Sequence, residues 1–338
     1  MTFKAPRYSV LMPTHNRADV LGLAIASVLA QTEPDFELLI VADGCTDDTA
    51  NVVSTFKDPR IRFFDLPKAP YFGYANRNVA LREARGRLIA FAAHDDLLLS
   101  DHLALMAELL EKSGAAWGYS RPLWVSMDGI IVPFCANLGV SEEMKSFHEH
   151  GNVLPAPCIV HTREVLERVG YWPEDVPNAA DWVLWRRMLS VNANHFAYQP
   201  HPTTFHFSAN WKQSRHAQFG AVKTLLEIAD GVSWWPAIFC NPPGSAETEQ
   251  AALWRAMQSG GDKWIGSLRA AVDTVVNRVA WTTVLEILPR LIATNEKLAD
   301  TERALSVLKI QLDEVHASGG WRIARLPLRV KKWFLKYP

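Results

Sequence analysis

The amino-acid sequence predicts an α/β fold in which helices flank a mostly parallel, mixed sheet, with a helical extension towards the C-terminus. Apolar runs of strand length at 8–12, 36–43 and 87–93 alternate with segments 19–31 and 75–85, in which apolar residues recur at helical spacing. Strands that alternate with helices form mostly parallel sheets. With 338 residues, the chain is long enough for one large α/β domain with an appendage, or for two smaller domains.

The remaining elements follow from local patterns. The turn GCTDDT after the second apolar run contains Asp47 and Asp48, which we expect to cap the next helix, and Asp19 is expected to cap the first one. Gly170 closes a later helical pattern. Further helices are predicted at 51–56, 102–114, 162–170 and 181–190, and further strands at 61–66, 115–126 and 130–134.

Composition excludes several classes of protein. The formal net charge of -1 argues against a nucleic-acid-binding chain, and 49% apolar residues argue against disorder. The four cysteines have no CxxC spacing, which argues against a zinc site or a secreted disulfide scaffold. The basic N-terminal segment runs directly into a strand pattern, and no stretch approaches about eighteen uninterrupted apolar residues. We therefore expect neither export nor membrane spanning, and a cytoplasmic location.

Carboxylates follow two of the apolar runs. Asp43 comes after ELLIVA, and Asp95 and Asp96 come after RLIAFAAH. Ligands of open α/β sheets bind outside the carboxyl ends of the strands, so these positions indicate a binding site. A charge on Asp43 is costly to bury and can accept a hydrogen bond from a ligand N–H. The adjacent Asp95 and Asp96 repel each other unless donors or a divalent metal compensate.

Four segments together, by their order and spacing, resemble the family 2 glycosyltransferases, which have the Rossmann-like GT-A fold. They are SVLMPTHNRADVLGLAIASVLAQT, ELLIVADGCTDDT, GYANRNVALREARGRLIAFAAHDD and ADWVLWRRM, and the resemblance covers about residues 7 to 215. It implies a catalytic domain over 1–228, with a nucleotide-sugar half over about 1–100 and an acceptor half over about 101–228.

The resemblance also implies which residues bind the donor nucleotide. The segment after the first strand contacts the base and ribose in that family, and a second segment lies on the third predicted helix. Asp43 matches the carboxylate that reads the imide N–H of a pyrimidine. The other implied nucleotide contacts are Pro13, Thr14, Asn16, Arg17, Asn76, Arg77 and Asn78.

The triplet HDD takes the place of the family's metal motif. The resemblance implies that Asp96 binds a cation, Mn²⁺ or Mg²⁺, which bridges the diphosphate, and that Asp95 contacts the ribose, a metal-bound water or the metal. His206 matches a further metal or phosphate ligand, and imidazole suits Mn²⁺ better than Mg²⁺. His201 is the weaker candidate because it directly precedes a proline.

Three acids that are frequent in the family are alanines in this chain. Ala42 precedes Asp43, Ala93 precedes HDD, and Ala180 precedes the matching acid of a later Glu-Asp pair. His94 is a candidate to supply the polar group that is lost at position 93, although a histidine beside a turn is often a surface residue.

Asp181 matches the family's general base. A carboxylate suits this role because it need only accept the proton of the acceptor hydroxyl as the anomeric bond breaks. The alternative is a helix cap for DWVLWRRM, and both roles can hold. Trp182, Trp185 and Trp211 are candidates for an acceptor platform, against the alternative that they belong to the core. Lys212 and Arg215 could steady the leaving diphosphate, against the alternative that they are solvated.

The C-terminal third differs in composition. A Trp-rich helical extension is predicted over 229–290, and leucines then recur every seven residues over 291–316, which indicates either a short self-associating coiled coil or a docked helix. The tail 319–338 holds six Lys or Arg, no acid and several aromatic residues. Such a segment either lies on the anionic inner face of the cytoplasmic membrane or packs on the body of the protein.

The sequence thus predicts an inverting, metal-dependent transferase that moves a sugar from a UDP- or dTDP-sugar to a hydroxyl of a glycan or lipid-linked glycan in cell-surface polysaccharide synthesis. One alternative is a catalytically inactive nucleotide-sugar-binding or scaffold protein. Another is a sugar-nucleotide nucleotidyltransferase, which would require a GxGxR-like loop where this chain has MPTHNR.

Overall fold

The computed structural model describes residues 5–126, 129–134, 136–191, 196–207, 235–282 and 288–317. The chain divides into two compact units, Met1–Val276 and Asn277–Pro338. The strands are β1 Tyr8–Thr14, β2 Phe36–Asp43, β3 Ile61–Leu66, β4 Leu88–Phe91, β5 Leu97–Leu98, β6 Trp117–Ser120, β7 Leu123–Val125, β8 Ile131–Pro133, β9 Ile159–Thr162, β10 Phe196–Gln199 and β11 Thr204–Phe207. The helices are α1 Ala18–Leu29, α2 Thr49–Thr55, α3 Tyr74–Arg82, α4 His102–Ser113, α5 Ser141–Glu149, α6 Arg163–Val169, α7 Ala180–Val191, α8 Glu249–Thr282 and α9 Leu288–Ala317.

The main sheet has seven strands in the order β10-β6-β9-β4-β1-β2-β3. The pairs around β1 and β2 are parallel, as is the β10–β6 pair, whereas β9 is antiparallel to both of its neighbours. Apolar clusters cover both faces, with α1 and α4 on one side and α3 and α7 on the other. The predicted fold class, a mostly parallel mixed sheet flanked by helices, is confirmed.

A second, four-stranded sheet in the order β5-β11-β7-β8 lies beside the main one. The sequence pattern predicted neither β5 nor β11, because β5 has only two residues and β11 lies in a segment of mixed polar and aromatic composition. The antiparallel pairing of Thr204 with Leu98 brings β11 against the chain that follows β4. This pairing positions His206 close to the carboxylates after β4.

The helix caps differ in part from the expectation. Asp47 accepts hydrogen bonds from the backbone N–H of Thr49 at 3.2 Å and of Ala18 at 2.9 Å, so it serves the starts of both α1 and α2. Asp19 is not a cap: it lies in the first turn of α1 and pairs with Arg17. Asp48 occupies the cap position of α2, but its side chain binds that of Asn51.

The helices α8 and α9 are the last elements along the described part of the chain. α8 is bent at Gly261, whose φ of 53° lies in the left-handed region. Along α9, every described side chain from 292 to 311 is exposed, among them Leu298, Leu305 and Leu308. In the described parts of the chain, every helix is too short or too polar to serve as a bilayer-crossing segment. The tail 319–338 lies outside the described residues.

Candidate active site

A cavity of about 380 Å³ opens at the carboxyl ends of β1 and β4. The small sheet contributes Trp124 and His206 to its wall, and the loop before α7 contributes the start of that helix. The cavity brings together six of the residues predicted from sequence, although they are spread over almost two hundred positions. These six are Pro13, Arg77, Asp95, Asp96, Asp181 and His206.

The buried Asp96 pairs with His206, which is partly buried. The Nδ1 atom of His206 lies 2.8 Å from Oδ2 of Asp96, and the other carboxylate oxygen accepts a hydrogen bond from the backbone N–H of Phe207 at 3.1 Å. Because a carboxylate accepts, Nδ1 carries the hydrogen and Nε2 is the ring nitrogen left to bind a ligand. The edge of the Trp124 ring, 4.4 Å from the imidazole by centroids, restricts the histidine further.

These residues fit a divalent cation that takes its other ligands from a diphosphate. Carboxylate oxygen and imidazole nitrogen are both suitable ligands for Mn²⁺. In the arrangement described, Asp96 is the carboxylate that accepts the other ring N–H of His206, so Nε2 of His206 and an oxygen of Asp96 could bind the same cation only after this hydrogen bond has opened. Within the described ranges, no group of three or more His, Cys, Asp or Glu side chains could hold a metal ion. The described residues would therefore supply only part of a coordination sphere, as is usual for cations bound together with phosphates.

Asp95 and His94 lie on the same wall of the cavity. Asp95 is buried, and its Oδ1 lies 3.9 Å from Nε2 of His94. His94 directly follows Ala93 in the chain, and its role as the replacing polar group stays a prediction. At 3.9 Å the contact is longer than a hydrogen bond, so it is an electrostatic contact only.

Asp43, the expected base-reading carboxylate, is buried at the end of β2 and is engaged by its own chain. Its Oδ1 accepts hydrogen bonds from the backbone N–H of Ala69 at 2.8 Å and from Asn76 at 2.7 Å. Its Oδ2 lies 2.7 Å from the ammonium of Lys68. The backbone of Gly73 packs so closely that a Cβ there would lie 2.4 Å from Oδ2. A nucleobase could reach Asp43 only after one of these groups has moved.

The segment 67–73 forms a loop that covers Asp43. The three N–H groups of the Lys68 ammonium are all used, on Asp43 and on the carbonyl oxygens of Ala69 at 2.6 Å and Tyr71 at 3.1 Å. The amide of Asn76 also donates to the carbonyl of Pro67 at 2.8 Å, which holds the start of the loop. At its other end the loop reaches the cavity, which Phe72 lines. No local pattern in the sequence predicted this covering loop.

The predicted residues after β1 shape the neighbouring loops rather than the cavity wall, with the exception of Pro13. Asn16 adopts a left-handed φ of 50°, and its side-chain oxygen accepts a hydrogen bond from Thr46 N–H at 2.7 Å. Arg17 pairs with Asp19. The buried hydroxyl of Thr14 has no hydrogen-bond partner among the described residues.

Arg77 and Asn78 point to different places although they are adjacent. The guanidinium of Arg77 lines the cavity and stacks on Tyr74 and Trp172, at 5.1 and 4.7 Å from the ring centroids. Burial lowers the pKa of Arg77, and the nearby charges of Asp181 and Asp43 oppose that shift. Asn78 is buried and exchanges hydrogen bonds with the backbone of Trp172. Its role is to hold this stacking platform in place.

Asp181 lies in the first turn of α7 and lines the cavity. Its Oδ1 accepts a hydrogen bond from the backbone N–H of Trp182 and its Oδ2 accepts one from Asn152, both at 2.8 Å. Burial raises the pKa of the Asp181 carboxyl above its ordinary value of 3.8, while these hydrogen bonds and the charge of Arg77 limit the increase. A carboxylate with a raised pKa is better able to accept a proton near neutral pH.

The tryptophans predicted as an acceptor platform differ in their burial and contacts. Trp185 is completely buried and packs on Phe91 and Trp172, so it is a core residue and offers no face to an acceptor. Trp182 is partly buried, and its indole N–H donates to the carbonyl of Phe147 at 2.9 Å. The remaining predictions, Trp211, Lys212 and Arg215, lie outside the described residues.

Several residues of the site were missed by the sequence reasoning. Trp172 and Tyr74 stack at 6.0 Å and form the platform for Arg77, and Asn152 binds Asp181. Trp172 belongs to a loop, YWPEDVPNAA, whose aromatic content was visible in the sequence, but nothing in the local pattern tied it to α3. Asn152 gave no signal, because an asparagine near a glycine is typical of any turn.

The chain is similar to known bacterial glycosyltransferases. The family model described as Glycosyl transferase family 2 matches residues 9–131. The Escherichia coli protein WfgD, named as a UDP-Glc:alpha-D-GlcNAc-diphosphoundecaprenol beta-1,3-glucosyltransferase, is 32% identical over 186 residues, which cover 54% of this chain and 70% of that protein. An uncharacterized glycosyltransferase of Rickettsia felis is 29% identical over 55% of this chain, but the match spans only 31% of that longer protein.

Among solved structures, TarS residues 1–349 of S. aureus in complex with UDP-GlcNAc has a similar fold. It superposes with a TM-score of 0.52 at 20% identity and covers 67% of each chain. At this identity the likeness concerns the fold alone. The assignment to a family rests on the sequence matches, in which the identity to WfgD extends over more than two thirds of that protein. The chain therefore belongs to glycosyl transferase family 2.

Proposed function

We propose that this protein is an inverting, metal-dependent glycosyltransferase that moves a sugar from a nucleotide-diphosphate donor to a hydroxyl of a glycan acceptor. The observation that carries the proposal is the shared cavity. It is lined by Asp96 and His206, a carboxylate and an imidazole suited to a cation, and also by the partly buried Asp181. Asp96 and His206 can hold a diphosphate with its cation, while Asp181 can accept a proton.

The transfer is a single displacement. Asp181 takes the proton of the acceptor hydroxyl, the acceptor oxygen forms a bond to the anomeric carbon, and the bond from that carbon to the diphosphate breaks with inversion. Asp96 and His206 would hold the divalent cation, Mn²⁺ or Mg²⁺, which when bound offsets the charge on the departing diphosphate. Asp95 lies beside them, where it can contact the ribose or a metal-bound water.

The donor is a UDP- or dTDP-sugar, and the acceptor is a glycan or a lipid-linked glycan of a cell-surface polysaccharide. The base would be read by Asp43, with Asn76 beside it at 2.7 Å, once the loop 67–73 has moved off this carboxylate. WfgD is named as a transferase from UDP-Glc to a diphosphoundecaprenol-linked acceptor, which supports this class of substrates. A second relative, from Campylobacter jejuni, is named as a glucosyltransferase that acts on an undecaprenol-linked glycan.

The C-terminal segments would place the enzyme next to such an acceptor. We assign self-association to 291–316, supported by the exposure of Leu298, Leu305 and Leu308 at heptad-related positions. The basic, aromatic tail 319–338 would bind the anionic inner face of the cytoplasmic membrane, so the enzyme would be cytoplasmic and peripheral. Sedimentation of Leu305→Asp tests the assignment of self-association. Loss of binding to anionic vesicles on removal of 319–338 tests the assignment of membrane binding.

A catalytically inactive nucleotide-sugar-binding protein is the second candidate. It is favoured by the alanines at 93 and 180 and by the closed loop over Asp43. A nucleotidyltransferase is disfavoured because the chain has MPTHNR where that class needs a glycine-rich loop.

The deciding experiment is a thermal-shift panel of nucleotide sugars with and without Mn²⁺, followed by donor turnover with acceptor extracts. We expect stabilisation by a pyrimidine nucleotide sugar that depends on Mn²⁺, and turnover that Asp96→Ala and Asp181→Asn both abolish. Binding without turnover of any donor would favour the inactive protein. No stabilisation by any nucleotide sugar would contradict both functions.

A further inference from the structure

We infer that Asn152 is a positioning residue that holds the Asp181 carboxylate in the orientation needed to receive the acceptor's proton. The inference rests on the proposed function, because it takes Asp181 as the base. Asn152 lies in the loop between α5 and β9 and lines the same cavity as Asp181. Its amide nitrogen lies 2.8 Å from Oδ2 of Asp181.

The orientation of the Asn152 amide is fixed by its own loop. Its side-chain oxygen accepts a hydrogen bond from the backbone N–H of Leu154 at 2.9 Å. A backbone N–H can only donate, so the oxygen of the amide must face Leu154 and the NH₂ group must face Asp181. Asn152 is therefore an obligatory donor to Oδ2, and rotation of the amide would lose both hydrogen bonds.

The two hydrogen bonds to Asp181 leave it ready to accept a proton. Each carboxylate oxygen has two lone pairs, of which Asn152 occupies one on Oδ2 and the N–H of Trp182 occupies one on Oδ1. An incoming proton must therefore bind one of the remaining lone pairs. Both donors favour the charged carboxylate and hold it in one plane before the acceptor arrives.

The loop that carries Asn152 is tied to the helix that carries Asp181. The indole N–H of Trp182 donates to the carbonyl of Phe147 at 2.9 Å, which joins the first turn of α7 to the end of α5. The rings of Phe147 and Trp182 also meet edge to face at 6.4 Å. Asn152 follows Phe147 by only a few residues. The contact between Phe147 and Trp182 therefore keeps Asn152 close to Asp181.

Other charged groups around Asp181 act on the same proton equilibrium and have to be kept constant. Arg77 of α3 lowers the pKa of Asp181, while burial raises it. The other titratable groups that line the cavity among the described residues are Tyr74, His94, Asp95, Asp96 and His206. Substitution of Asn152 changes none of these residues, so a change in the pH profile can be assigned to the lost donor.

The test uses the full chain with three substitutions at 152 and 181. Asn152→Ala should lower kcat about tenfold or more, as expected for loss of a hydrogen bond to a charged group, while the KM for the donor stays within about twofold. The acidic limb of the kcat/KM profile should move to higher pH because the charged form of Asp181 loses a donor. Asn152→Asp should move it further, since two carboxylates would then share one proton.

A swap variant separates position from hydrogen bonding. Asn152→Asp combined with Asp181→Asn restores a carboxylate–amide hydrogen bond but exchanges donor and acceptor, so folding should be retained and transfer should be absent. Asn51→Ala is the matched control, because Asn51 makes a similar contact with Asp48 on α2, away from the cavity. Transfer by the swap variant, or an Asn152→Ala enzyme with unchanged kcat and pH profile, would overturn the inference.

The outcome can be told apart from a failure of the proposed function. If the wild type turns over no donor, the proposed function fails, and the inference is then tested by carbon NMR titration of the Asp181 carboxyl, assigned with Asp181→Asn. The Asp181 pKa should rise in Asn152→Ala relative to the wild type. Even if the enzyme shows no activity, an unchanged pKa of Asp181 would overturn the positioning role of Asn152.

Discussion

Removal of the Lys68 ammonium should tighten nucleoside binding, because this group occupies the carboxylate that is expected to read the base. Lys68→Met keeps the length and apolar stem of the side chain but removes the contact with Asp43 Oδ2 at 2.7 Å. It also removes the bonds to the carbonyls of Ala69 and Tyr71 that hold the covering loop. A ligand that needs Asp43 then no longer competes with an internal cation.

The magnitude follows from the exposure of the pair. Asp43 is 7% exposed, but the Lys68 side chain is 42% exposed, so solvent screens the interaction. A hydrogen bond to a charged group contributes about 1.5–3 kcal/mol when shielded from water, and an exposed ion pair about 0.2–1 kcal/mol. The upper part of the range for exposed pairs, about 0.5–1 kcal/mol, corresponds to roughly two- to fivefold tighter binding.

Isothermal titration with uridine and with UDP gives the measurement. Uridine has no phosphate, so its affinity reports the competition at Asp43 without a possible attraction between Lys68 and the diphosphate. The wild-type affinity for uridine should also increase with salt, which weakens the ion pair, whereas that of Lys68→Met should not. Lys112→Met is the control, because Lys112 is exposed and pairs with Glu108 on α4. Unchanged or weaker uridine binding by Lys68→Met would refute the reasoning.

Three further outcomes are expected. The stability of Asp181→Asn relative to the wild type should increase as pH rises. Burial raises the pKa of Asp181 in the folded state, so the contribution of this carboxyl to wild-type stability is fully present below about pH 3.8 and is lost as the carboxyl ionises at higher pH. Thermal melts across pH check this, and a constant difference between the two proteins contradicts it. Asp96→Ala should abolish any Mn²⁺-dependent thermal shift with UDP, whereas a retained shift would exclude Asp96 as a ligand. Gly73→Ala should cost about 1–3 kcal/mol in urea unfolding, because its φ is 72° and the new Cβ would clash with Asp43, while Gly266→Ala in α8, with open space around it, should not destabilise.

The parts of the fold that the sequence predicted are those in which local pattern and burial agree. The strands β1 and β2 are buried on both faces, so their apolar runs are continuous and easy to recognise. The carboxylates at 43, 95 and 96 end such runs, and the sheet topology places them at one edge. Their positions could therefore be predicted from the order of strands alone.

The rest of the site depends on pairings between distant segments, which no local pattern contains. His206 reaches Asp96 only because β11 pairs with the two-residue strand β5 about a hundred positions earlier. The family resemblance supplied His206, but neither strand could be seen in the sequence. The contacts of Lys68 and Asn152 could be predicted neither from local patterns nor from the family resemblance, since each depends on the conformation of one loop.

The two halves of the site differ in how much must change before a substrate can bind. Asp181 is already held by two donors and faces the cavity, so the acceptor side is organised in advance. Asp43 is covered by its loop, so the donor side must open first. Arg77 touches both halves, because it donates to the carbonyl of Phe72 at the end of the covering loop and interacts with the charge of Asp181. Opening of the loop would therefore release Arg77 from Phe72. Under the proposed function, donor binding should then alter the electrostatic environment of Asp181.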